Sequence, residues 1–215
     1  MKRSLIKATA FLILCGSLTG CVIGTKMKFS DTSLQVPTTK GMILVGALDR
    51  RPYVISGEKS PKWVGLQRSG FGIPYGVHTS SGLPLATEFR DGLQRNFNSS
   101  KSVNINSNSN FVEQLKSLMA KETALGESNT KGLLLVINQW KTDVMNNVNL
   151  YYDLELIALD KNGNVGGRAQ LASNEKLKGS FWNPVAASER VAKEKLKAVL
   201  DKLLMSPEIA RALAG

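Results

Sequence analysis

Cysteine and histidine are almost absent from this chain, which has two cysteines, Cys15 and Cys21, and one histidine, His78, in 215 residues. A zinc-type centre of clustered His and Cys ligands is therefore excluded, and no metal is expected. A carboxylate-only site needs acidic residues grouped at ligand spacing. The nearest approach, Asp160-Lys161-Asn162-Gly163-Asn164, lacks a distal glutamate and sits where a hairpin turn is needed. Nucleophilic catalysis lacks its parts as well. His78 shares a short polar stretch with Ser80 and Ser81, whereas a triad needs three groups converging from a scaffold plus oxyanion donors. Phosphate loops are missing too. In Gly70-Phe71-Gly72-Ile73-Pro74-Tyr75-Gly76 the third glycine falls one place late, and Pro74 interrupts the turn that should open into a helix. A non-enzymatic protein without a cofactor is the expectation.

Acidic residues are also few: 17 against 28 Lys and Arg, a formal net charge of +11. Three of those cations, Lys2, Arg3 and Lys7, lie in the first 20 residues, which leaves +8 on the rest. A basic surface suits phospholipid headgroups, lipopolysaccharide phosphates, acidic wall polymers or nucleic acid, or it serves solubility alone.

Residues 1–20 have the form of an export signal. After the positive start, Ala8 to Cys15 is apolar and Gly16 to Gly20 is made mainly of small residues. The apolar stretch is shorter than the ~20 residues a spanning helix needs. Leu18-Thr19-Gly20-Cys21 then resembles the lipobox of bacterial lipoproteins. That resemblance implies cleavage before Cys21, a diacylglycerol thioether on its sulfur and acylation of the new N-terminus. Val22 follows, where an aspartate would be the usual inner-membrane retention signal. The implied destination is the outer membrane, with the domain facing the periplasm, which argues against nucleic acid as a partner. With Cys15 lost with the leader, Cys21 is the sole mature thiol, and lipidation removes the exposure of an unpaired thiol to oxidation.

The remainder divides into a polar tether over 21–40 and one domain over 41–215. Met42 to Leu48 reads as a strand, and Leu83 to Phe97 as a helix with Leu85, Phe89, Leu93 and Phe97 on one face. A brief strand at Lys101–Asn106 precedes a second helix over Asn110–Leu125, with Asn110 or Ser109 as N-cap and Gly126 at its end. Lys131–Asn146 and Asn149–Asp160 read as long strands. In the second, Leu150, Tyr152, Leu154, Leu156 and Ala158 alternate with Tyr151, Asp153 and Glu155, the mark of one buried face. Asn162-Gly163 predicts a two-residue hairpin loop into a third strand over Val165–Lys178. A last helix opens at Asn183-Pro184 and is interrupted at Ser206-Pro207. The expected fold is α+β: a two-layer sandwich, with amphipathic helices on one face of a mixed, mostly antiparallel sheet.

Asp49 to Gly82 fits neither pattern. It holds three of the seven prolines and six of the 19 glycines, and reads as a long structured loop with at most a small hairpin. Such loops are often functional. Arg50, Arg51, Trp63, Arg68, Phe71 and Tyr75 are its candidate binding residues, since guanidinium forks hold phosphate or carboxylate and aromatic faces pack on sugars or acyl chains. The alternative is structural, with the aromatics packed beneath the loop and the arginines paired with Asp49 and Glu58.

The lipobox, the segment Val148–Gly163 (VNLYYDLELIALDKNG) and the final helix together resemble small outer-membrane lipoproteins of the YajG type. The resemblance covers the leader and roughly the C-terminal half, and carries over no catalytic residue. The expected function is a lipid-anchored envelope protein that binds lipopolysaccharide, peptidoglycan or a protein partner. The alternative is an accessory subunit of an envelope transport or assembly complex, and an envelope hydrolase is the weakest reading.

Overall fold

The computed structural model describes residues 26–107, 110–180 and 184–214. Cys21, the leader and Asn183 lie outside the described residues. The spine of the sheet is β6 (Lys131–Val144), antiparallel to β7 (Asn147–Leu159), which is antiparallel to β8 (Val165–Lys178). The other edge of β6 is shared. Its first half, Lys131–Ile137, pairs in parallel with β2 (Ile43–Asp49), and its end, Thr142–Val144, pairs in parallel with β3 (Trp63–Arg68). A register shift between Ile137 and Gln139 separates the two halves. From β2 the sheet continues to β5 (Ser100–Ser102), and from β3 to β4 (Pro74–Thr79) and β1 (Lys26–Met27). The result is a branched, curled half-barrel rather than a flat two-layer sandwich.

Helices cover both faces of this sheet, which corrects the one-face expectation. On one face lie α2 (Leu85–Gln94), α4 (Pro184–Leu204) and α5 (Pro207–Ala214), with Leu85, Phe89, Leu196, Leu200 and Ile209 in the main core. At its centre Phe29, Phe89 and Trp140 meet edge to face, with centroids 5.1–5.7 Å apart. On the opposite face α3 (Phe111–Ala124) packs Leu115 and Met119 against Leu44, Leu134, Val136 and Ile157. This explains why every residue from Lys131 to Ile137 is buried. The unbroken run Leu133-Leu134-Leu135-Val136-Ile137 reports cover on both sides, whereas the alternating start of β7 reports cover on one.

Three further expectations need correction. The stretch from residue 26 to 34, expected within a polar tether, is part of the domain, because Met27 and Phe29 are fully buried and Leu34 nearly so. β1 pairs with β4, the Glu88 carboxylate accepts the Phe29 N–H at 2.7 Å, and Asn96 accepts that of Leu34 at 2.8 Å. The alternation of Met27 and Phe29 was a strand signal too short to stand out.

The loop of 49–82 is regular over much of its length. It contains α1 (Pro52–Ile55) and the hairpin of β3 and β4. Gly65 hides this strand from a pattern reading, yet the strand requires it: a Cβ there would lie 2.1 Å from Thr142 Oγ1 and 2.3 Å from Thr142 O. Lastly, the β7–β8 connection spans Asp160–Asn164 rather than two residues. Gly163 adopts φ +77°, and Asp160 Oδ1 accepts the N–H groups of Asn162 and Asn164 at 2.9 and 3.0 Å, so the aspartate closes a turn.

Candidate functional site

The six candidate residues of the 49–82 segment meet different fates. Arg51 and Trp63 belong to the interior, which removes them from any binding surface. The Arg51 side chain is fully buried and grips Asp49 through Nε–Oδ1 at 2.8 Å and Nη2–Oδ2 at 2.7 Å. Its remaining donors reach the carbonyls of Trp63 at 2.6 Å and Pro61 at 3.0 Å. A planar fork with five donors suits such a knot of acceptors. Trp63 packs edge to face on Tyr53, whose hydroxyl donates to the Trp140 carbonyl at 2.8 Å and whose pKa burial pushes up.

Arg68 is taken by a partner 75 residues away. Two 2.8 Å bonds join it to Asp143 on β6, and they hold the Asp143 carboxyl below its ordinary range. Phe71 sits in the hairpin turn and Tyr75 just after it on β4; Phe71 is almost wholly exposed and Tyr75 half-buried. His78 is exposed on β4, opposite Trp63.

Arg50 alone among the candidates lines a concave site. A groove of about 610 Å³ opens where β2 ends, walled by Asp49 and Arg50, by Val54 and Ile55 of α1, by Thr87 and Arg90 of α2, and by residues 104–107 after β5. Its position follows from topology: β2 and β5 are parallel, α2 crosses between them, and the crevice lies beyond their carboxyl ends. Two guanidinium groups therefore face one groove. Arg90 is oriented by Asp91 at 2.9 Å and by the Asn104 side-chain oxygen at 2.5 Å. Arg50 lies over the Phe111 ring, 5.9 Å from its centroid, and among the described residues it has no carboxylate partner. The adjacent Asp49 does not neutralise it, because both carboxylate oxygens already accept from Arg51.

Arg90 and Asn104 escaped the sequence reading. Arg90 reads as one more cation on the polar side of an amphipathic helix, and only the crossover of α2 brings it to Arg50.

Among the described residues no cluster of three or more metal-ligating side chains occurs, and no helix is long and apolar enough to cross a membrane. No family model matches this chain, and no curated protein matches it. Similar solved structures include a DUF330 protein of Xanthomonas campestris, 10% identical over 80% of this chain and 95% of that one, with a TM-score of 0.42. Lipoprotein GNA1162 of Neisseria meningitidis is 12% identical over 77% and 98%, with a TM-score of 0.31. An uncharacterised protein is 9% identical over 82% and 98%, with a TM-score of 0.36. Similarity at this level supports no assignment of family or function.

Proposed function

We propose that this chain is a non-enzymatic lipoprotein of the outer membrane, held by lipid on Cys21 and facing the periplasm. Its groove beyond β2 binds an anionic envelope component such as lipopolysaccharide or a peptidoglycan carboxylate. The observation that carries the binding reading is Arg50, which has no carboxylate partner among the described residues, beside Arg90, which Asp91 orients, on a groove whose lining carboxylate, Asp49, is already occupied by Arg51. The same occupancy favours binding over catalysis, since Asp49 is committed to an ion pair and is poorly placed to act as a base.

The test is titration of the lipidated protein, in detergent micelles, with lipopolysaccharide and with soluble peptidoglycan fragments. Each guanidinium that bonds an anion contributes about 1.5–3 kcal/mol. Arg50→Ala and Arg90→Ala should therefore each weaken binding roughly tenfold to a hundredfold. Full affinity in the double variant rejects the groove. The anchor has its own test: Cys21→Ser should abolish metabolic labelling with a fatty-acid probe, and persistent labelling rejects it.

A second reading, an accessory subunit of an envelope complex, is favoured by β8. Its 14 residues pair with β7 alone among the described strands, leaving a long edge open to a partner strand. In-cell crosslinking from the exposed Ala172 position separates the two, because a stoichiometric protein adduct supports only the accessory role.

A further inference from the structure

Three large apolar side chains stand exposed at one end of the sheet: Phe71 at 96%, Ile73 at 53% and Met145 at 44%. Topology gathers them. β3 runs parallel to the end of β6 with Gln67 opposite Val144, so the turn of Ser69–Ile73 lies just beyond Met145. The turn is held in shape. Ser69 Oγ accepts the N–H groups of Phe71 and Ile73 at 3.3 and 3.2 Å, the Ser69 N–H donates to Ile73 O at 2.9 Å, and Gly72 takes φ +80°. Phe71 is thus presented outward by an ordered turn. Cations accompany it, since Lys178 is opposite Asn147 and Lys176 opposite Asn149 on the same end of β8, both exposed.

β1 is parallel to β4, with Lys26 opposite His78. β4 runs away from the turn and β1 runs beside it in the same direction, so Lys26, the first residue of β1, lies on the turn side of Met27. Cys21 precedes Lys26 by five residues, as Ile73 precedes His78 by five. Five residues reach about 17 Å at most, so the length of chain suffices to bring Cys21 level with Ile73.

We infer that the β3–β4 turn is a second membrane contact. Phe71 and Ile73 enter the lipid beside the anchor, Met145 lies at the interface, and Lys176 and Lys178 meet lipid phosphates. A single tether leaves a domain free to tumble, whereas two contacts fix which face is turned to the bilayer. This inference rests on the lipid anchor at Cys21.

The test uses the full, lipidated chain in vesicles of phosphatidylethanolamine and phosphatidylglycerol. An environment-sensitive fluorophore is placed by thiol chemistry at Gly70→Cys, a position with nothing within 4 Å of its Cβ, and in a separate protein at Asn162→Cys, at the opposite end of the sheet. The expected result is a blue-shifted Gly70 probe, quenched severalfold more by shallow spin-labelled lipids than the Asn162 probe. Adding Phe71→Ser and Ile73→Ser should abolish that difference while fatty-acid labelling persists. Equal quenching of the two probes overturns the inference and leaves the anchor standing. A blue shift without lipid quenching overturns it in favour of a second protein molecule on the turn. Thiol labelling of the unsubstituted protein shows Cys21 to be free, and overturns anchor and inference together.

Discussion

Replacing Arg51 by methionine keeps most of the length of the side chain and removes its charge. The change strands the Asp49 carboxylate, only 12% exposed, and deprives the carbonyls of Trp63 and Pro61 of a charged donor. Removing one partner of a buried, hydrogen-bonded pair costs about 3–5 kcal/mol, most of it for the charge left behind. For a chain of this length each kcal/mol moves the melting temperature by about 2–4 °C, so Arg51→Met should lower Tm by about 6 to 20 °C. Adding Asp49→Asn removes the stranded charge, and the double variant should be more stable than Arg51→Met alone. Urea unfolding followed by circular dichroism gives the coupling energy directly. A loss below about 1 kcal/mol, the range of exposed pairs, would refute the reasoning. It would also return Arg51 to the list of residues available for binding.

The remaining predictions concern a cap, a packing contact and acid. Asn110→Ala removes the oxygen that accepts the Val112 and Glu113 N–H groups at the start of α3, and should cost about 1 kcal/mol in urea unfolding. Gly167→Ala places a methyl 2.5 Å from the Glu208 carbonyl, so α5 must shift; a loss of about 1–3 kcal/mol is expected, against almost none for Gly70→Ala. The hydrogen bond from Lys195 holds the Glu175 carboxyl below its ordinary 4.5, and that from Arg68 holds Asp143 below 3.8. Because both values are depressed by folding, their stabilisation is complete above those ordinary values and is lost as pH falls through the folded ones. Glu175→Gln should therefore lower the urea midpoint at neutral pH and make its fall in acid shallower; an unchanged acid profile would count against the Lys195 pairing.

Arg50 and Arg51 show where local reading ends. They are neighbours of one chemistry, yet one faces a groove and the other is the buried partner of Asp49. The alternative of arginines paired with Asp49 was correct for Arg51. Nothing local selects it, because the carbonyls that complete its environment come from residues 61, 63 and 140. Arg68 finds Asp143, and Arg90 finds Arg50, only because β3 lies on β6 and α2 crosses beside β2.

Helices α2 and α3, the cap at Asn110 and the alternation of β7 were legible, because each depends on side chains within a turn or two of one another, where spacing alone sets the exposed face. The resemblance of residues 18–21 to a lipobox is also a contiguous pattern, but it remains an expectation from sequence, since Cys21 lies outside the described residues. What only the tertiary structure decided is everything that depends on partner choice. The division of one edge of β6 between β2 and β3 produced the curled sheet, cover by helices on both faces explained the unbroken apolar run, and the pairing of β1 with β4 turned part of a polar tether into core. Such choices are settled by competition among distant surfaces for burial. A segment's own residues state how much surface it must hide, and the rest of the chain determines where.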